Sequence, residues 1–112
     1  MGTPAAGAVV LVPFPFSDLS QSKRRPAVVL AGAGRGDWIL CQVTSKSYAD
    51  ARAVELTDDD FEHGSLRVVS YARPAKLFTA HESLFVSEVG VLCAESLKRI
   101  TDQVVSVIQR NA

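Results

Sequence analysis

Short apolar runs rich in β-branched residues, each cut off by proline, glycine or a polar cluster, fill the first two thirds of the chain, and a stretch of helical period closes it. Residues 7–13 (GAVVLVP) predict a first strand, interrupted by Pro13 and Pro15 because proline has no N–H to give a ladder. A loop over 14–24 follows, in which Phe14, Phe16 and Leu19 stand among serines, prolines, Asp18 and Gln21. Residues 26–31 (PAVVLA) predict a second strand, the glycine-rich segment 32–36 a turn, and residues 37–44 (DWILCQVT) a returning third strand. Shorter strands are expected at 53–56, at 65–69 and, after Pro74, at 75–79. Between 94 and 109 the period changes. Leu97, Ile100, Val104 and Ile108 recur at three- and four-residue spacing, with Lys98, Arg99, Asp102 and Gln103 between them, which predicts an amphipathic helix.

Several short strands followed by one terminal helix predict a mainly β fold, a small barrel or strongly bent sheet with the helix packed on its open side. The 112 residues suit one domain spanning 1–112, with residues 1–6 expected as a flexible tail. The balance of 47% hydrophobic to 21% charged residues is that of an ordinary globular chain. No apolar run approaches the ~20 residues that cross a bilayer, and the N-terminus lacks the layout of a signal peptide, so a cytoplasmic protein without membrane attachment is expected. Cys41 and Cys93 lie far apart in apolar runs and read as buried thiols, in keeping with a reducing compartment.

Formal net charge is zero, so the chain as a whole has no electrostatic footprint of a nucleic-acid binder. Its distribution is uneven. Up to residue 46, Lys23, Arg24, Arg25, Arg35 and Lys46 stand against only Asp18 and Asp37, whereas Glu55, Asp58, Asp59, Asp60 and Glu62 form an acidic stretch that reads as a solvated turn.

Three constellations could carry chemistry. In the first, Lys23, Arg24 and Arg25 place adjacent cations at the mouth of a strand, with Ser17, Ser20 and Gln21 as neutral hydrogen-bonding groups nearby. Guanidinium forks match phosphate oxygens, and hydroxyls and amides position the rest of a backbone. Alternation puts Arg24 and Arg25 on opposite faces, and Arg25, next to Pro26, is expected to be the inward one. The second constellation is Thr44, Ser45 and Lys46 at the end of the third strand, where hydroxyls and a cation follow one another. The third is the segment 70–82, whose Tyr71, Arg73, Lys76, Phe78 and His81 mix basic and aromatic groups as single-strand binders do. No spacing typical of a metal site, a nucleophile elbow or a phosphate-binding loop occurs, so no metal or cofactor is expected.

The opening G-x-V-V-L-V strand, the proline-rich loop ending in R-P-A-V-V-L, the V-T-S strand end and the terminal helix together resemble the MazF/PemK toxins of type II toxin-antitoxin systems. The likeness runs from Gly7 to about Ile108 and is most specific in PFPFSDLSQSKRRPAVVL. It implies an SH3-like barrel that forms a homodimer, cleaves single-stranded RNA without a metal, and is masked by a cognate antitoxin. The arginine of the family's R-P motif falls on Arg25, the threonine closing the next strand on Thr44, and Gln21 matches a loop glutamine that contacts RNA in relatives. Some relatives carry an acid in a pattern like R-x-D-Q-x-R-T, where this chain has Arg73, Pro74, Ala75, Lys76, Leu77, Phe78 and Thr79. Ala75 takes the place of that acid, which leaves Asp18, His81 or water to move protons. Two other readings stay open: a toxin-like dimer that binds RNA or antitoxin without cutting, and a poison of DNA gyrase like the related CcdB barrels.

Overall fold

A computed structural model describes residues 3–14 and 23–110. Seven strands are followed by one helix: β1 (Ala8–Phe14), β2 (Lys23–Gly34), β3 (Asp37–Thr44), β4 (Val54–Leu56), β5 (Phe61–Gly64), β6 (Ser70–His81), β7 (Ser87–Leu92) and α1 (Ala94–Arg110). They join in one antiparallel sheet of order β4-β6-β3-β2-β1-β7-β5, curled into a half-barrel. This is the mainly β, barrel-like architecture with a terminal helix that the sequence predicts.

The central strands read as unbroken apolar runs because both of their faces are covered. On one face Val10, Val12, Ala27, Val29 and Leu40 pack with Ala80 and Phe85, and Trp38 and Phe78 flank them. On the other, Val9, Val28, Cys41, Val43, Leu56 and Ala72 meet Ile100 of α1, with Leu97 and Val104 alongside. The stripe expected on the helix ends at Val104, since Ile108 beyond it is 62% exposed. Pro4, within the expected six-residue tail, is buried, and the Gly7 N–H donates to the Val29 carbonyl at 2.8 Å.

The β2–β3 hairpin is tighter than the glycine count predicts. Gly34 pairs with Asp37, so Arg35 and Gly36 alone make the turn, at φ 57° and 82°. Two left-handed residues match the twist of the flanking strands, and a Cβ on Gly36 would stand 2.6 Å from His81 Nε2.

Two expectations need correction, and two strands, β5 and β7, were not among those expected. Residues 65–69 form no strand, although Val68 and Val69 favour one. They connect β5 to β6, and the Ser65 hydroxyl accepts the Arg67 N–H at 2.8 Å, while Arg67 takes a φ of 67°. The sixth strand is not 75–79 but the whole of Ser70–His81. Its ladder with β3 jumps from Cys41↔Leu77 to Val43↔Ala72, and Pro74 lies in that irregularity, where no ladder donor is required. Finally, β7 (SEVGVL) escapes a pattern reading because Gly90 and two charged or polar residues dilute it. It is recruited by pairing with β1 and β5.

Candidate nucleic-acid cleft

The start of β2 and the end of β3 come together at one end of the sheet. Ala27 pairs with Gln42, so two residues further along each strand lie Arg25 and Thr44. Both line one open cleft of about 560 Å³, together with Pro26, Val43, Ser45, Lys46, Tyr48, Ser65, Arg67 and Ser70. Arg25 sits opposite Val12 of β1 and is half-buried, whereas Arg24, opposite Pro13, is exposed and outside the cleft. The inward and outward assignment made from alternation therefore holds for this pair. Lys23 takes the first place of β2, opposite Phe14.

Thr44 is 6% exposed, and its Oγ1 accepts the Lys46 N–H at 3.2 Å. A hydroxyl that accepts in this way keeps its own proton to donate. Ser45 and Lys46 follow, exposed, on the same rim. Ser17, Ser20 and Gln21 lie outside the described residues.

Among the described residues, Arg25, Lys46 and Arg67 have no carboxylate within ion-pairing distance, and no acid lines the space between them. With three positive charges and the hydroxyls of Thr44 and Ser45, the cleft offers the donor set of a phosphate backbone site, whereas the Ser65 hydroxyl is spent on Asp58 and the Ser70 hydroxyl on the Val68 carbonyl.

The third constellation distributes differently from expectation. Arg73 does not face the cleft as a free cation: its Nε donates to Asp50 at 3.3 Å and its guanidinium lies 5.0 Å from the centroid of the Tyr48 ring. Lys76 is exposed on β6 and takes no part in lining the cleft. His81 closes the far end of β6, where its Nδ1 accepts the Ser83 N–H.

The acidic stretch proves to be more than a solvated turn. Asp58–Asp60 form one turn of 3-10 helix in which the Asp60 carboxylate accepts the Thr57 N–H at 2.7 Å. It also accepts the Ser96 hydroxyl at 2.7 Å and pairs with Arg99 at 2.6 Å. Burial works to raise the Asp60 pKa, but these hydrogen bonds and the Arg99 charge together hold it below the ordinary carboxylate value. Cys41 is buried as expected, and desolvation pushes its thiol up to about 12. Cys93 departs from expectation, being only partly covered at the start of α1, and the Ser96 hydroxyl beside it lowers its pKa. Among the described residues no group of three His, Cys, Asp or Glu side chains gathers as metal ligands, and no helix is long and apolar enough to cross a membrane.

A family model described as PemK-like, MazF-like toxin of type II toxin-antitoxin system matches residues 5–108. The chain belongs to the PemK/MazF toxin family. Solved structures agree on the fold. MazF within a MazE-MazF complex from Deinococcus radiodurans superposes with a TM-score of 0.78 at 22% identity, over 97% of this chain and 98% of that one. An endoribonuclease in complex with its cognate antitoxin, from a Mycobacterial species, gives 0.73 at 12% identity over 97% and 96%. The Mycobacterium tuberculosis toxin MazF-mt6 gives 0.71 at 14% identity over 91% and 96%. A comparison with curated proteins finds no match.

Within this PemK/MazF barrel the sequence located Arg25, Thr44, Ser45 and Lys46, and its third constellation began at Ser70, but it missed Arg67, Tyr48 and Ser65. Arg67 lies in LRVV, which reads as a strand, and Tyr48 is a lone aromatic in the polar segment 45–50. Only the sheet order brings both next to Arg25.

Proposed function

We propose that this PemK/MazF family member is a toxin that cleaves single-stranded RNA without a metal and is masked by a cognate antitoxin. The observation that carries the reading is the convergence of Arg25 and Thr44 on one cleft whose other described cations, Lys46 and Arg67, are likewise unpaired. The relatives in complex with antitoxin support the proposed partner, and a homodimer is proposed from membership of the family.

In metal-free cleavage the ribose 2′-hydroxyl attacks the adjacent phosphorus, the bond to the 5′-oxygen breaks, one proton is removed and one is returned. Negative charge accumulates on the non-bridging oxygens meanwhile. Arg25 meets that charge. Its guanidinium presents a delocalised positive charge and two parallel N–H donors, which makes it an electrostatic stabiliser rather than an acid. Thr44, with its lone pair engaged by the Lys46 N–H, donates its hydroxyl proton to a phosphate oxygen and fixes the orientation of the group. Lys46 and Arg67 hold flanking phosphates, and Ser45 offers a further hydrogen bond.

A second reading is favoured by one observation: no carboxylate lines the cleft among the described residues, and Ala75 stands where some relatives carry an acid. On that reading the protein binds RNA without cutting it. Incubation of the purified protein with mixed-sequence RNA in EDTA, beside Arg25→Ala and Thr44→Ala, separates the two. Cutting by the wild type alone supports the nuclease, and RNA bound but intact in every tube supports the binder.

A further inference from the structure

The turn after β3 presents an aromatic side chain that the phosphate chemistry leaves unused. Tyr48 lines the same cleft as Arg25, Thr44 and Lys46, yet it is 56% exposed. Its backbone and that of Ala49 are both left-handed, each at φ 52°. That region is costly for residues other than glycine, and it persists only where the surroundings over-determine it. Here Asp50 does so: its N–H donates to the Ser47 carbonyl, its carbonyl accepts the Ala53 N–H, both at 3.1 Å, and its carboxylate accepts the Arg52 N–H at 2.9 Å. The same carboxylate anchors Arg73, whose guanidinium lies over the Tyr48 ring. The ring is thus backed by a fixed cation, while more than half of the residue remains open to solvent.

An aromatic held by a strained turn and a salt-bridged arginine, beside cations that have no carboxylate partner among the described residues, has the make-up of a stacking platform. We propose that Tyr48 stacks against a base of the single strand in the cleft, with Asp50 and Arg73 as positioning residues that fix the ring. The inference rests on the reading of the cleft as an RNA site and deepens it. Because every base has a π-face, this contact adds affinity and places one nucleotide relative to Arg25, while base choice is left to other groups.

The test uses the full chain and a mixed-sequence RNA fully 2′-O-methylated, so that the attacking hydroxyl is blocked, with 2-aminopurine replacing adenine. Anisotropy reads affinity and the quenching of 2-aminopurine reads stacking. Tyr48→Leu is expected to weaken binding by about tenfold or more and to abolish the quench, and Tyr48→Phe to restore both. Tyr48→Gly keeps the left-handed turn without strain, so it is expected to melt no lower than the wild type and still bind like Tyr48→Leu. If Tyr48→Leu proves unfolded, the glycine variant decides. Arg73→Gln is expected to weaken binding while leaving the salt slope unchanged, since it acts through the ring and not on a phosphate. Wild-type affinity and quenching in Tyr48→Leu and Tyr48→Gly, or a phenylalanine variant as weak as leucine, overturn the platform alone. A wild type that binds no RNA overturns the nucleic-acid reading and the platform together.

Discussion

Two arginine-bearing regions of this molecule put the same side-chain chemistry to opposite uses. At the base of α1, Arg99 meets Asp60, which is also bonded to Thr57 and Ser96, so this arginine and this carboxylate are both engaged. In the cleft, Arg25, Lys46 and Arg67 line one open space with no acid among the described lining residues. Gathering like charges destabilises a fold, and neutralising them with nearby carboxylates would be the relaxed solution. That these cations have no carboxylate partner among the described residues fits the proposed role of the cleft, in which the partner arrives from outside.

The comparison is broken most forcefully by removing one arginine from each region. Arg25→Ala is expected to slow RNA cleavage by at least about 100-fold, the loss associated with deleting one preorganised donor to developing charge, and to leave the melting temperature close to that of the wild type. Thr44→Ala, which removes a neutral hydrogen bond, is expected to cost about tenfold. Arg99→Ala should do the reverse, lowering the melt and sparing the rate. A rate loss in Arg99→Ala equal to that in Arg25→Ala would erase the distinction.

Next in size is the anchor of the paired region. Asp60→Ala strips the hydrogen bonds that join the 3-10 turn to α1, and a loss of about 1–2 kcal/mol is expected, which a thermal melt reads as a fall of roughly 4–8 °C. The effect depends on pH. The folded-state pKa of Asp60 is held below its ordinary value of 3.8, so its contribution is full above that value and disappears as pH falls through the depressed one. The gap between wild type and Asp60→Ala should therefore be constant from neutral pH to about 5 and narrow below about 4. A gap that persists undiminished at pH 2 would assign the loss to packing instead of charge.

How far these regions were legible in the sequence differs, and for a physical reason. The cleft's Arg25 and Thr44 sit at the ends of strands whose apolar period is strong, so pattern alone fixes their places, and alternation sorts Arg25 from Arg24. The clamp was invisible because its members are 36 and 39 residues apart, and nothing local distinguishes Asp60 from Asp58 or Asp59. The 65–69 segment misled for a related reason: Val68 and Val69 have strand propensity but join no ladder, and β-propensity expresses itself only where a partner pairs. Conversely, β7 has weak propensity and pairs on two sides.

A gentler intervention sharpens the electrostatic side. Lys46→Ala and Arg67→Ala are each expected to weaken RNA binding only a few-fold, and each should reduce the slope of log affinity against log salt by about 0.7, one released counterion on a single strand. Loss of affinity without a change of slope in Arg67→Ala would mean that Arg67 shapes the loop and does not meet a phosphate.

The smallest expected effect tests whether distance or burial decides what an ion pair contributes. Lys98 and Asp102 approach to 2.8 Å, nearly as close as Arg99 and Asp60 at 2.6 Å, and the two lysine-arginine neighbours stand side by side on α1. The Lys98–Asp102 side chains are 75% and 62% exposed, however, whereas Asp60 is 15% exposed and bonded on three sides. In water the attraction of the exposed pair is largely offset by screening and by the entropy of holding two mobile chains, so its shortness carries little weight. Lys98→Gln should leave the melt indistinguishable from that of the wild type, and added salt should not change this, while Arg99→Gln lowers it. Equal losses in the two variants would show that helix charge as such, and not the buried Asp60 anchor, separates the paired region from the cleft.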